Sequence, residues 1–498
     1  MRVPSGVRRP DAVGAALALA SGVVFLAHGF EGELTRDLGL YAYAGQQVAD
    51  GVPPYVGVMN RSGPLAHLVP GLGAAGARVL GVDDLLGMRV LFWVLSVAMV
   101  WATYVLGRDL FERRLSGVAA AVSLACLPVI IIYATGGPRE KTTMMLLLTW
   151  ALVAMLRRRF GWSGALVALA TLTWQPVFFP AAVAAVLCAL LAPRGERLRG
   201  LIAVAGGGVL VAALMIVWFA AVGALQDFAD GFAVIHLSYT YQPGLSDDLE
   251  RQWEGLLEGF GDTIWIVVAG LVALLLLGAR NLLSPTRRAE PLGRTQIAFA
   301  IALVPGLAWS WRVFNGWGDA LMLVPFAAVG IAAVITTLAE HVPARAALAA
   351  TVTWVVVTLV IAVGFSLNGG SRMLEKQERE VGDFFALLPP DATLLSVEAP
   401  QPLVLTGRTN LTQHQMFRAG LVYYVDDSWP GGIEGYADTV RAAAPDVIAV
   451  GRYAYFAWVD PILAEDYTRV GTSPGWTWFV RNGTPPDVLV QLQAAVSG

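Results

Sequence analysis

Three short stretches carry side chains able to do chemistry, in a chain that otherwise avoids charge. The first runs from Arg36-Asp37 through Tyr41 and the turn Gly51-Val52-Pro53-Pro54-Tyr55 to Arg61 and Pro64. Asp37 and Tyr41 are four residues apart, so a helix puts them on one face. The Pro-Pro turn before Tyr55 folds the chain back on itself. A carboxylate here can take a proton from an incoming hydroxyl, and a nearby low-dielectric surface is expected to raise its pKa. The plain alternative is an exposed helix-start carboxylate that only favours the helix dipole.

The second stretch is the turn Gly136-Gly137-Pro138-Arg139-Glu140-Lys141, where two cations flank one acid. That pattern suits a phosphate or pyrophosphate contact beside a second carboxylate, or else an ordinary polar turn with snorkelling side chains. Arg61 and Arg312 are further arginines that can face the same phosphate. The third stretch holds His236 with Tyr239 and Tyr241, a lone histidine that is either structural or part of the site. Trp309, Trp311 and Trp317 suit an interfacial aromatic belt, with sugar stacking as the alternative. Asp319 beside them is costly against lipid and is expected to face a cavity.

The elements that must position these groups follow from composition. Of 498 residues, 56% are hydrophobic and 14% charged, against roughly 25% charged in soluble domains, so the chain is built for lipid. A net charge of −3 argues for no nucleic-acid partner. Cys126 and Cys188 fall in apolar runs and read as core residues, with no disulfide framework or metal cluster between them. No Gly-rich nucleotide loop, zinc spacing or Ser-His-Asp pattern is present, which counts against an ATP-driven pump.

Apolar runs of helical length recur near 12–29, 86–106, 115–134, 142–156, 163–174, 177–192, 201–223, 263–279, 296–311, 320–338 and 347–366. Arginines crowd every second loop: Arg8 and Arg9, then 108–114, 157–159, 194–199 and 280–294. The positive-inside rule puts those loops in the cytoplasm. The expectation is therefore a multi-pass α-helical protein of the cytoplasmic (plasma) membrane. It has about eleven spans, the N-terminus inside and the C-terminus outside. The first run is read as a retained span, with a cleaved signal peptide as the competing reading. The first outer loop covers 30–85, with Pro64–Leu80 as an interfacial helix, and the second covers 224–262. The membrane domain spans 1–369. From 370 to 498 a charged helix at Glu375–Leu388 leads to strand-like runs at Thr393–Val397, Leu403–Leu405, Val447–Val450 and Trp476–Val480. A helix near Glu434–Ala444 lies among them, which makes this region a small extracytoplasmic α/β domain.

On these residues the chain resembles the GT-C superfamily of membrane glycosyltransferases, in the branch of protein O-mannosyltransferases and lipid A aminoarabinose transferases. The likeness rests on Asp37, Gly39, Tyr41 and Tyr43, then Gly51, Pro54 and Tyr55, then Arg61 and Pro64, with the hydropathy layout and the C-terminal domain. It implies a polyprenyl-phosphate sugar donor, an extracytoplasmic glycan, lipid or protein acceptor, contact with membrane lipids, and transfer with inversion. It implies Asp37 as catalytic base, Glu140 as second-loop acid, and Arg139, Lys141 or Arg61 as phosphate contacts. Many members of the family have an acid where this chain has Gly57 and Lys where it has Arg61, and often a His-Tyr pair where it has Gly318-Asp319. No cofactor is named by the sequence, and a divalent cation stays open. The competing functions are a transporter or flippase, which predicts charges at mid-span and broken helices in paired halves, and a lipid-linked glycan polymerase or ligase.

Overall fold

The computed structural model describes residues 11–239, 249–314, 316–452 and 456–496, so Arg8, Arg9 and Tyr241 lie outside the described residues. The N-terminal part is a helical bundle that opens with α1 (Ala12–His28), α2 (Arg36–Ala49), α3 (Leu65–Leu80), α4 (Asp84–Phe111), α5 (Arg114–Ala125), α6 (Pro128–Gly136) and α7 (Glu140–Leu156). Among the described residues six helices are long and apolar enough to cross a membrane, and seven if the bent pair α5–α6 counts as one span. This is a multi-pass membrane protein. The runs expected at 142–156, 163–174 and 177–192 form helices of 17, 12 and 13 residues, shorter than the roughly 20 that span a bilayer core upright.

The single span expected over 115–134 is broken. Pro128 has no N–H to continue the ladder and starts a new helix instead, and α5 and α6 meet at 68°. That kink lets the Gly136–Lys141 turn reach inward at the start of α7. At the opposite end of α7 the arginine-rich turns gather: Arg157 pairs with Asp109 at 2.6 Å, and Arg114 and Arg108 both reach Asp11 just before α1.

The region beyond Ser371 carries a four-stranded sheet of β1 (Leu394–Val397), β2 (Val447–Gly451), β3 (Tyr467–Ser473) and β4 (Trp476–Arg481), in the order β1-β2-β4-β3. β1 and β2 are parallel; the other two pairings are antiparallel. The strand expected at Leu403–Leu405 is instead the short helix Gln401–Thr406. Pro402 occupies its first turn, where a missing N–H costs nothing, and Leu403 and Val404 are buried. β3 was not foreseen, because Val470 and Gly471 interrupt the alternation where the ladder bulges.

The sheet region docks on the first loop through backbone groups. Asn410 N–H donates to the Tyr43 hydroxyl at 2.8 Å, Met59 N–H donates to the Gln413 carbonyl at 2.8 Å, and Gln46 Nε2 donates to the Val404 carbonyl. Gly39 permits the approach: a Cβ there would lie 3.2 Å from the Gln401 backbone nitrogen. Tyr424 of the same region donates to Asp230 of the second loop at 3.0 Å.

Candidate active site

Thr35 precedes α2 and its hydroxyl caps the helix, so Asp37 falls in the first turn and benefits from the helix dipole. Its side chain keeps 40% of its surface open and lines a cavity of about 230 Å³ between the 30–85 and 224–262 loops and the C-terminal sheet region. Seven side chains of alternating sign run across that cavity. Glu398 Oε2 meets Arg36 Nη1 at 2.8 Å, and Arg36 Nη2 meets Asp37 Oδ1 at 2.9 Å. Asp37 Oδ2 meets Arg139 Nη1 at 2.8 Å, and Arg139 Nε lies 3.3 Å from Glu140 Oε2. Lys141 Nζ then sits 3.2 Å from Glu140 Oε1 and 3.6 Å from Asp319 Oδ1. Glu140 and Lys141 are almost wholly buried, where an unpaired charge is not tolerated. Lys141 also lies over the Trp174 ring, and Arg139 over Tyr41.

The expected rise in the Asp37 pKa is reversed. Burial pushes it up, but the guanidiniums of Arg139 and Arg36 outweigh burial and hold it well below the usual carboxylate range. With its charge balanced by two cations, the carboxylate does not fit a divalent metal. Among the described residues no three His, Cys, Asp or Glu side chains converge.

Arg61 differs from Arg36, Arg139 and Lys141. It lines the cavity and has no carboxylate partner among the described residues. Its carbonyl is gripped from two elements, by Gln175 Nε2 at 3.1 Å and by His236 Nε2. Because a carbonyl only accepts, His236 carries its proton on Nε2. Burial and the nearby Arg61 charge bring the histidine pKa down to about 4, so it is neutral at pH 7. The following residues lock in place as well: Tyr41 and Ser62 hydroxyls meet at 2.8 Å, and Gly63 lies so close to the 172–173 backbone that a Cβ would sit 2.1 Å from the Leu172 carbonyl oxygen.

Asp37, Tyr41, Arg61, Arg139, Glu140, Lys141 and His236 thus share one cavity, and Asp319 faces it as expected. Tyr55 and Arg312 do not share it. Tyr55 is fully buried with its hydroxyl donating to the Ser62 carbonyl at 2.6 Å, which makes it a support beneath the loop. Arg312 is exposed at the end of the helix Pro291–Arg312 and is outside the lining. Gly57 packs on Gln47 and Val52, where a Cβ would lie 2.9 Å from the Gln47 amide oxygen and 3.0 Å from Val52, so a side chain there would make these neighbours give way. Sequence reasoning missed Glu398, Ser62, Trp174 and Met416, all cavity-lining, and gave Arg36 no role.

No family model matches the chain, and no curated protein gives a significant sequence match. Solved structures do match over nearly the whole chain. ArnT from Cupriavidus metallidurans bound to undecaprenyl phosphate is similar at 15% identity with a TM-score of 0.64, over 95% of this chain and 98% of that one. An Archaeoglobus fulgidus oligosaccharyltransferase in complex with Zn and sulfate is similar at 14% identity with a TM-score of 0.53, over 97% of this chain and 76% of that one. At such identities the likeness is one of fold.

Proposed function

From its GT-C membrane-glycosyltransferase fold, we propose that this protein moves a sugar from a polyprenyl-phosphate donor to a hydroxyl or amine of an extracytoplasmic acceptor, with inversion. The observation that carries the proposal is the charge layout of the cavity. A carboxylate held by two guanidiniums sits at its centre, and one lining arginine, Arg61, is left without a carboxylate among the described residues.

In the reaction the acceptor oxygen bonds to the anomeric carbon as the bond from that carbon to the phosphate oxygen breaks. The electron pair leaves with polyprenyl phosphate, whose growing charge Arg61 meets, with Arg139 and Lys141 nearby. The acceptor proton passes to Asp37. A carboxylate of low basicity serves because the attacking oxygen becomes strongly acidic only once its new bond has formed, so the proton leaves late. Before that, Asp37 orients the acceptor as a hydrogen-bond acceptor. Glu140 keeps Arg139 and Lys141 in place rather than acting as an acid.

The arginine-rich turns at the far end of α7 support placing this cavity on the outer face of the cytoplasmic membrane, with the N-terminus inside, about eleven spans through residue 369, and 370–498 as an outer domain. The test is direct: purified protein is given undecaprenyl-phosphate-linked hexoses and pentoses together with hydroxyl- and amine-bearing acceptors, and released undecaprenyl phosphate is measured. Release by the wild type and none by Asp37→Asn supports the reading. No release from any such donor overturns it.

A further inference from the structure

We propose that Glu398 is a positioning residue for this transfer: from the C-terminal sheet region it holds the Arg36 guanidinium, and through Arg36 it fixes the Asp37 carboxylate in the cavity. The inference rests on the glycosyl-transfer reading above. Its starting point is an awkward piece of helix geometry. Side chains at adjacent positions on a helix point about 100° apart and do not face one another, yet Arg36 Nε and Nη2 lie 3.1 and 2.9 Å from Oδ1 of its neighbour Asp37. An outside anchor is needed to bring the guanidinium there. Glu398 supplies it, with Oε2 2.8 Å from the third nitrogen, Nη1.

Glu398 is itself rigidly held. Its side chain is 1% exposed, and Oε1 accepts the backbone N–H groups of Phe417 and Arg418 at 2.7 and 2.9 Å. It directly follows β1, at the C-terminal end of the parallel β1–β2 pair, the edge where α/β sheets present functional side chains. Its backbone takes φ of 55°, a left-handed conformation costly for anything but glycine. The neighbouring strand accommodates this with Gly451, where a Cβ would lie 2.2 Å from the Glu398 carbonyl oxygen. A glutamate kept where glycine fits more easily is there for its side chain.

The charged and titratable groups facing Asp37 are Arg36 and Tyr41 from its own helix, Tyr133 from α6, and Arg139 with Glu140 from the start of α7. Arg36 is the cation that links Asp37 to Glu398 of the C-terminal region. Glu398 draws off part of its charge, and losing Glu398 turns the whole of it onto Asp37, which makes the carboxylate a weaker base. Losing Arg36 does the reverse.

The experiment is the pH profile of undecaprenyl phosphate release by the full-length protein carrying Glu398→Gln, Arg36→Gln or both. The amide oxygen introduced by Glu398→Gln still accepts the two N–H groups. Expected are a fall in kcat of about 10-fold for Glu398→Gln with the donor KM unchanged, and an acid limb, below about pH 5 in the wild type, that moves to still lower pH for Glu398→Gln and to higher pH for Arg36→Gln. In the Arg36→Gln background Glu398→Gln has no further effect. Equal losses in both backgrounds, or wild-type behaviour of Glu398→Gln, overturn the proposal. If Glu398→Gln does not fold, an unmoved acid limb in Arg36→Gln alone overturns it. Should Asp37→Asn be inactive while Glu398→Gln is normal, only the positioning role fails; should Asp37→Asn be active, the transfer reading itself fails.

Discussion

Arg139 Nη1 stands 2.8 Å from Oδ2 of Asp37, joining α2 to the turn before α7 across 102 residues of chain. The contact fixes the cavity wall on which the proposed chemistry depends. Replacing Asp37 with Asn keeps one acceptor oxygen and the shape but removes the charge. Turnover is expected to fall about 10²–10⁴-fold, the usual share of a positioned proton acceptor, while thermal unfolding still shows a cooperative transition. A folded Asp37→Asn protein with near-normal turnover contradicts the assignment.

The pH dependence follows from the same pair. Burial raises the Asp37 pKa, and Arg139 and Arg36 depress it by more, so it lies well below the usual carboxylate range. The carboxylate is ionised from neutrality to well into acid, and kcat/KM should show no acid limb attributable to Asp37 between about pH 5 and 8. Because the folded value is depressed, its contribution to stability is present above the unfolded pKa of about 3.9 and lost as pH falls through the folded value. Arg139→Gln removes the stronger depressing charge, so its pH–rate profile should gain an acid limb at higher pH than the wild type. An unshifted profile sinks this reading.

Arg61 tests donor binding apart from proton transfer. A charge-assisted contact to phosphate contributes about 1.5–3 kcal/mol, so Arg61→Gln should weaken undecaprenyl phosphate binding roughly 10–100-fold. Gln175→Ala should weaken it less, since it loosens only the carbonyl that orients Arg61. Calorimetric or fluorescence titration in detergent separates the two, and equal affinity of Arg61→Gln and wild type rules out the phosphate role.

Lys141 stands between Glu140 and Asp319 with 3% of its side chain exposed. Lys141→Met removes the buried cation shared by Glu140 and Asp319, and breaking a buried pair typically costs about 3–5 kcal/mol. A marked drop in Tm is expected, partly recovered in the double variant with Asp319→Asn. Unchanged stability of Lys141→Met would show that water already relieves the charge.

Much of this site was legible because charge is expensive near lipid. Asp37, Arg61, Arg139, Glu140 and Lys141 stood out on that ground, and the structure brings them together. Arg312 met the same criterion, but its side chain is exposed outside the cavity, and composition does not tell a charge facing a cavity from one on the outer surface of the bundle. Tyr55 was marked by its turn and proves to be a buried strut. Glu398 was invisible because its link to Arg36 spans 362 residues, and nothing local distinguishes it from other strand-end acids. In the fold, the apolar runs gave the helices well. The break at Pro128 was written in the sequence as a proline inside an apolar run, yet run length alone hid it. Leu403–Leu405 looked like a strand because three apolar residues carry no period, and the burial of that short helix against α2 decided otherwise.

The central claim is that this cavity breaks a sugar–phosphate bond on a lipid carrier with Asp37 taking the acceptor's proton. The most direct measurement is release of undecaprenyl phosphate from undecaprenyl-phosphate-linked sugars by purified wild-type and Asp37→Asn protein in parallel. The account predicts release that needs the wild-type carboxylate and an added acceptor. Equal release by the two proteins, or none by either from any hexose or pentose donor, contradicts it.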